Sequence, residues 1–536
     1  TDGSTVFTFV GTSGTQTITP NGVQIAKNIT INATAGVNVV LAGSLDMGGA
    51  TAHTLTLTQG NFNANNFNVT CAIFSSSNSN TRTLTMGSGT WTLTGSAATI
   101  WSCSTQTNLT FNKGANPIVC SYSGGTGSRT INNGTLQANF PDFRISAGTD
   151  NVDITAATTV GALDFTGFTG NFVAASLSIA RNLIYGAGST ATGTGTRTFI
   201  GYSGGTNSWT LTTNGVTLDS SITLSSVGGF SSTVTLGSNL TTGVTRTLTV
   251  TSGTFNANGF NVSTGLFSSS NSNTRTITMG SGTWTLTGTG TVWTTATSTN
   301  LTLTPGTSNI TINNTSATGK TFAGGGLTYN DITFSGDNIT VSGSNTFGTF
   351  RVANAGLANG LLLTSGTTQR MTDFTTNGAK YSLAKLAATT PGSAATINRA
   401  SGTTSVDYMS LQDSAATGGA TWYAGAHSAD VSGNSGWIFS SAPVAAQNAS
   451  RDENMVPTLL GASSVDGETT IRVKASPTTH ALVINDGSTG DDHGGSVATR
   501  DANFVPVLLA VSYVDGVTPV EIYADQDSGA LLVDSN

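Results

Sequence analysis

The most restrictive feature of this 536-residue chain is that it repeats itself. The stretch FSSSNSNTRTLTMGSGTWTLTG at 74–95 returns at 267–288 with one change, Leu84 against Ile277. The match extends upstream, so that Phe62 recurs as Phe255, 193 residues on. A shorter echo lies inside the long one. Segments 245–273 and 274–300 both open T-R-T-(L/I)-T, pass a Ser-Gly turn and resume on an aromatic residue. That spacing gives a unit of roughly 27 residues, inside the range of stacked-repeat architectures. The long displacement is close to an integral number of such units, which would keep the register. A weaker echo, TRTFIGYSGGTNSWTLT at 196–212, makes the repetition continuous. A unit this short cannot bury an apolar face alone and must stack on its neighbours.

Within the unit, apolar residues alternate with threonine, as in Leu248/Val250, Phe260/Val262 and Trp284/Leu286. A period of two is the signature of a strand, and β-branched threonine suits a pleated surface. The expectation is an all-β chain, a parallel β-solenoid (β-helix) with coils of about 27 residues, followed by two small β-modules. Each coil would give one strand to each of two or three sheets, with Leu55, Leu84, Leu93, Leu248, Ile277 and Leu286 inside and Thr, Ser and Asn outside. The competing arrangement is a string of β-sandwiches with strands every eight to twelve residues or so, which the near-27-residue echo disfavours.

Composition narrows the function classes. Only 8% of residues are charged, against about 25% in an ordinary soluble domain. Yet 37% are apolar and only 10 are proline, which argues against disorder. The net charge is -7 and no Lys/Arg cluster occurs, so a nucleic-acid partner is not expected. No window approaches the roughly 18 consecutive apolar residues of a membrane span, so no membrane insertion is expected either. Acidic residues are uneven: 13 lie in residues 1–440 and 13 in the last 96, where four basic residues accompany them. The division read from this is 1–24 as an N-terminal strand or cap, 25–391 as solenoid, 392–439 as terminal coil with an aromatic cap, 440–450 as linker, and 451–499 and 500–536 as modules.

Residues that invite chemistry are mostly absorbed by the repeat. Cys71 becomes Thr264 in the second copy, so Cys71, Cys103 and Cys120 read as small buried residues rather than a disulfide or metal set. Trp91 and Trp284 share parity with Leu93 and Leu286 and belong inside. The turns NANNFN and NANGFN lack adjacent carboxylates and suit stacked amide ladders better than calcium. Arg82, Arg246 and Arg275 open units at equivalent places, and are expected to form an exposed edge row that discourages strand pairing or meets acidic glycans. His53 stands where the copy has Arg246 and is expected in solvent. The close carboxylate pairs before 440 are Asp150/Asp153, Asp331/Asp337 and Asp407/Asp413. Glycan hydrolysis needs two free carboxylates at a set separation, and no pair recurs with a repeated context. The four histidines, His53, His427, His480 and His493, have no metal spacing or nucleophile partner. No catalytic, cofactor-binding or metal residue is therefore assigned, and no enzyme is expected.

Segment 392–439 breaks the threonine alternation and brings in Tyr408, Trp422, Tyr423 and Trp437. At VDYMSLQDS, WYAG and NSGW it resembles the terminal coils of β-helical proteins encoded by tailed phages and environmental bacteria. Beyond it, residues 451–484 recur at 500–533 without a gap. The shared R-D-x-N-x-V-P-x-L-L-x-x-S-x-V-D-G resembles modules in structural proteins of tailed phages and uncultured viruses. The resemblance implies a virion-surface protein: a tail fibre, tailspike-like or capsid-decorating appendage. Two alternatives stand beside it, a bacterial extracellular adhesin or filament subunit and a glycan-depolymerising tailspike. The partners implied are the chain itself as a homotrimer, other virion proteins and host-surface glycan. Modules of about 49 residues bury little apolar surface alone, so Leu459, Leu460, Leu508, Leu509, Leu531 and Leu532 are the expected oligomer contacts.

Overall fold

In a computed structural model, the described residues are 5–443, apart from 49–52, 97–98, 135–138, 155–157, 204–206 and 226–228. Beyond 443 the description covers the backbone of six strands. The chain divides into two units, Thr1–Ala442 and Pro443–Asn536.

The first unit is a parallel β-solenoid of about 18 turns, each about 23 residues long, built from strands and turns. Each turn crosses three faces. The first-face strand Asn151–Ile154 is followed by Thr158–Val160 on the second face and Leu163–Asp164 on the third, before Asn171–Ala174 returns beside Asn151–Ile154. Near the start the strand Thr54–Asn63 runs round a corner, pairing Leu55 with Ile29 on one face and Phe62 with Val39 on the next. Alternation sets the interior. Strand Arg275–Thr278 alternates buried and half-buried positions, and Leu55, Leu84, Leu93, Leu248, Ile277 and Leu286 are all fully buried. One continuous apolar core runs from Ile18 to Trp437. Each large apolar side chain contributes about 1.5–3 kcal/mol of burial, and it can do so only because coils lie above and below it.

The coil is shorter than the 27-residue echo, and the reason is geometric. Leu248 stacks on Phe267, whereas Ile277 stacks between Phe255 and Leu303. The two T-R-T strands therefore lie on different faces, one turn plus one face apart. The longer displacement behaves in the same way. First-face pairing steps from the strand of Leu55 through those of Phe74, Trp101, Ile131, Ile154, Phe172, Ala191 and Leu218 to Leu240–Thr242, which is eight turns. Leu248, the counterpart of Leu55, sits one face further on, pairing Ile222 and Phe267. Eight turns plus a third, not an integral number of coils, separate the copies. The same sequence folds the same way on two different faces.

Corners are held by asparagine. Asn65 and Asn258 adopt left-handed φ of 51° and 52°, which asparagine tolerates better than other non-glycine residues. Their side-chain amides donate to Leu41 O and Leu236 O of the preceding coil, at 3.2 and 3.3 Å. The expected ladders are thus chiefly amide-to-carbonyl clamps between coils.

Segment 392–439 continues the coils: Trp422 stacks on Trp437, and both lie in the core against Phe374. These indoles carry the interior through the last coils. The second unit holds two three-stranded antiparallel sheets, Leu459–Ala462, Thr470–Ala475 and Leu482–Ile484, then Leu508–Val511, Pro519–Ala524 and Leu531–Val533. Leu459 pairs with Val473 and Leu508 with Ile522, the same pairing in each. Leu459, Leu460, Leu508, Leu509, Leu531 and Leu532 lie on these strands. Their side chains, and residues 444–450 of the linker, fall outside the described residues.

Candidate functional site

The ionisable residues of the solenoid are largely spent on the fold. Arg82 and Arg275 are 1% exposed, which overturns the exposed edge row read from the sequence. Arg82 Nε donates to Ser76 Oγ at 2.8 Å, Nη1 to Asn80 O and Thr107 O, and Nη2 to Ser76 O and Thr105 O. Arg275 repeats the arrangement with Ser269, Asn273, Thr297 and Thr299. A guanidinium offers five donors in a fixed fork, and here the fork gathers turn carbonyls from two successive coils. Arg246, which precedes its strand, is half-buried and pairs with Asp219 at 2.8 Å. His53 is half-buried rather than free in solvent.

The carboxylate pairs behave likewise. Asp150 is buried in a two-point contact with Arg129, at 2.7 and 2.8 Å. Burial pushes the Asp153 carboxyl above its usual range. Asp337 is 3% exposed and accepts the N–H groups of Asn359 and Gly360, while Asp331 accepts that of Thr349. Asp413 is buried and takes the Gly392 N–H. In each sequence pair at least one member is therefore committed to backbone or to arginine. Cys71, Cys103 and Cys120 are free and buried, with thiols pushed up to about 12 by desolvation. Thr264, replacing Cys71, satisfies its buried hydroxyl on Thr242 Oγ1 and on Arg246 O. Among the described residues no group of three or more His, Cys, Asp or Glu is placed to hold a metal ion, and no helix is long and apolar enough to cross a membrane.

One arrangement stands apart. Asp407 lines an open cleft of about 310 Å³ with Phe374, Thr375, Thr376, Gly378, Ser405 and Val406. Its Oδ2 lies 2.7 Å from His427 Nδ1, and its Oδ1 accepts the N–H groups of Tyr408 and His427 at 2.9 Å. The Tyr408 ring stacks on the imidazole, 4.7 Å between centroids and 8° from parallel. Tyr408 holds a φ of 54°, and Gly425, at φ +86°, leaves space where any Cβ would collide with the Asp407 carboxylate. The His427 side chain is 60% exposed, with Nδ1 turned to the carboxylate. This arrangement orients an imidazole on a carboxylate that lines a cleft shared with Thr375, Thr376 and Ser405.

Burial pushes the Asp407 carboxyl up, but the hydrogen bonds from the His427 ring and from the two N–H groups outweigh it and hold the group below its usual range. A depressed folded-state pKa means the clamp stabilises above the unfolded value, about 4, and is lost as pH falls through the folded value. Acid titration followed by NMR should shift the His427 ring and the Tyr408 and His427 amides together in that window. In Asp407→Asn the three signals should no longer titrate together; if they still do, the carboxylate is not their common partner.

The sequence points to Asp407 but not to His427 as its partner, because only the local length of this coil brings the two together. Comparison with protein-family models, curated proteins and solved structures finds no match to this chain.

Proposed function

We propose that the chain is a structural protein that spans distance with a stiff solenoid and presents its long lateral surface at the outside of a viral particle. It serves as a tail fibre, tailspike-like or capsid-decorating appendage, homotrimeric, bound to other virion proteins and attaching to host-surface glycan without cleaving it. The observation that carries this reading is the unbroken core from Ile18 to Trp437, within which arginines and carboxylates are consumed as internal struts. Such a body resists bending and has few groups left for chemistry. The viral assignment itself rests on the sequence resemblances at VDYMSLQDS and in the two modules. Oligomer contact through Leu459, Leu460, Leu508, Leu509, Leu531 and Leu532 is part of the same proposal.

Electron microscopy of the native particle, with antibody raised against the solenoid, tests it. Label at a fixed number of sites per virion is the expected result; label on open filaments from a bacterial surface would replace it with the adhesin or filament reading. In the same preparation, host polysaccharide should keep its length on incubation with the protein. Depolymerisation abolished by Asp407→Asn would make the chain a glycan-cleaving tailspike, with the cleft that Asp407 lines as its site.

A further inference from the structure

Left-handed backbone in the solenoid is given almost wholly to glycine and asparagine. Among the described residues every non-glycine position with positive φ is asparagine except Asp413, Tyr381 at 66° and Tyr408 at 54°. A bulky side chain crowds the backbone in that conformation, whereas asparagine tolerates it. The two tyrosines are neighbours in successive coils. Ala384 N–H donates to Tyr408 O, and a Cβ on Gly378 would strike the same oxygen. Both also adjoin the open cleft. Tyr381 lies in the tight turn Ala379–Ser382, which starts one residue after Gly378, and Tyr408 follows Asp407, while Gly378 and Asp407 both line the cleft. Tyr381 is 94% exposed, with Lys380 Nζ 5.2 Å from its ring centre, and Tyr408 is half-buried against the exposed His427 imidazole. Three rings thus occupy one corner in three successive coils, and described coils flank both tyrosines on either side. The fold has a less strained residue for such turns, so strain kept beside a cleft points to a use other than folding.

We propose that this corner is the saccharide-binding surface of the solenoid, taking an uncharged glycan whose ring faces lie on Tyr381 and Tyr408 and whose hydroxyls bond to the cleft. It rests on the glycan-attachment reading above and gives that reading a place and a ligand class. An aromatic ring offers an apolar face to the C–H side of a sugar, and small-molecule sites add a few placed polar groups that fix orientation. Here those groups are the hydroxyls of Thr375, Thr376 and Ser405 and the carboxylate of Asp407. A carboxylate has about four acceptor sites. The N–H groups of Tyr408 and His427 take both on Oδ1 and the imidazole takes one on Oδ2, which leaves one for a sugar hydroxyl. The same clamp keeps Asp407 ionised at neutral pH, so the wall repels a carboxylate-bearing sugar and discriminates by charge.

The test pairs binding with stability, both on the full chain. Binding is read on a printed panel of neutral and uronic-acid bacterial polysaccharides, and stability as Tm. Tyr381→Asn removes a ring and relieves the left-handed strain, so binding to neutral polymers should weaken about tenfold while Tm holds or rises. Tyr408→Asn should weaken binding to a similar degree while keeping the backbone N–H on Asp407. Neutral polymers bound at native strength by both variants would overturn this inference and leave the attachment reading standing. Binding of no polymer on the panel would overturn both. Preference of the native chain for uronic-acid polymers would overturn the ligand class. A Tm lowered by Tyr381→Asn would show that the tyrosine serves the fold, and would remove the argument from strain.

Discussion

Replacing Arg275 with alanine is expected to open the solenoid locally, at a cost of about 3 kcal/mol or more, because it removes the donor from several buried carbonyls at once. The guanidinium, 1% exposed, holds the carbonyls of Ser269, Asn273, Thr297 and Thr299, and alanine leaves all four without that donor. Each orphaned buried acceptor costs about 1–3 kcal/mol. Stacked repeats touch only their neighbours, so the damage should stay near 265–305. Hydrogen exchange should show lost protection there and unchanged protection in the strands Asn28–Asn32 and Asn38–Leu41. Arg275→Lys should recover only part, because an ammonium supplies three donors where the fork supplied five. Full protection in Arg275→Ala would mean that the cradle is incidental to the coil.

These cations show how much of the molecule is legible in the sequence. Strand parity identifies the interior correctly: Leu55, Leu84, Leu93, Leu248, Ile277 and Leu286, each alternating with threonine, are all buried. The same parity covers the arginines, since Arg82, Leu84 and Met86 alternate as one series, as do Arg275, Ile277 and Met279. Arg197 with Phe199 and Lys320 with Phe322 follow suit, and both cations are buried. The signal is present, and the prior that charge faces water conceals it. Coil length is hidden for a different reason. A motif that fits more than one face recurs in sequence without recurring in register, so repeat spacing measures turns plus faces. Turn length also varies: the step from Leu248 to Phe267 is much shorter than the step from Ile277 to Leu303. Without that local length the pairing of Asp407 with His427 is not readable, because it depends on a single coil.

The largest expected effect on packing comes from the two equivalent tryptophans, and it probes the interchangeability of faces. Trp91 pairs with Val69 in the sheet that carries Phe255, whereas Trp284 pairs with Val262 in the sheet that carries Leu55. Their nearest phenylalanines correspond, although Trp284 also meets Trp293 edge-on at 5.9 Å. Trp91 meets Phe62 and Phe74 edge-on at 6.1 and 5.6 Å, and Trp284 meets Phe255 and Phe267 edge-on at 5.8 and 5.4 Å. The indole N–H donates to Met86 O at 3.4 Å in one and Met279 O at 3.3 Å in the other. Replacing either with alanine leaves a cavity and an orphaned carbonyl, with a loss of about 3–5 kcal/mol. The two losses should lie closer together than the spread of about 2 kcal/mol that one kind of core truncation shows between unlike sites. If the core depends only on the nearest coils, the face on which a copy lies is irrelevant to its stability. Local hydrogen exchange in Trp91→Ala and Trp284→Ala measures both losses directly. A clearly larger loss at one site would show that the three faces differ energetically, and that a sequence block cannot be moved one face round the prism without penalty.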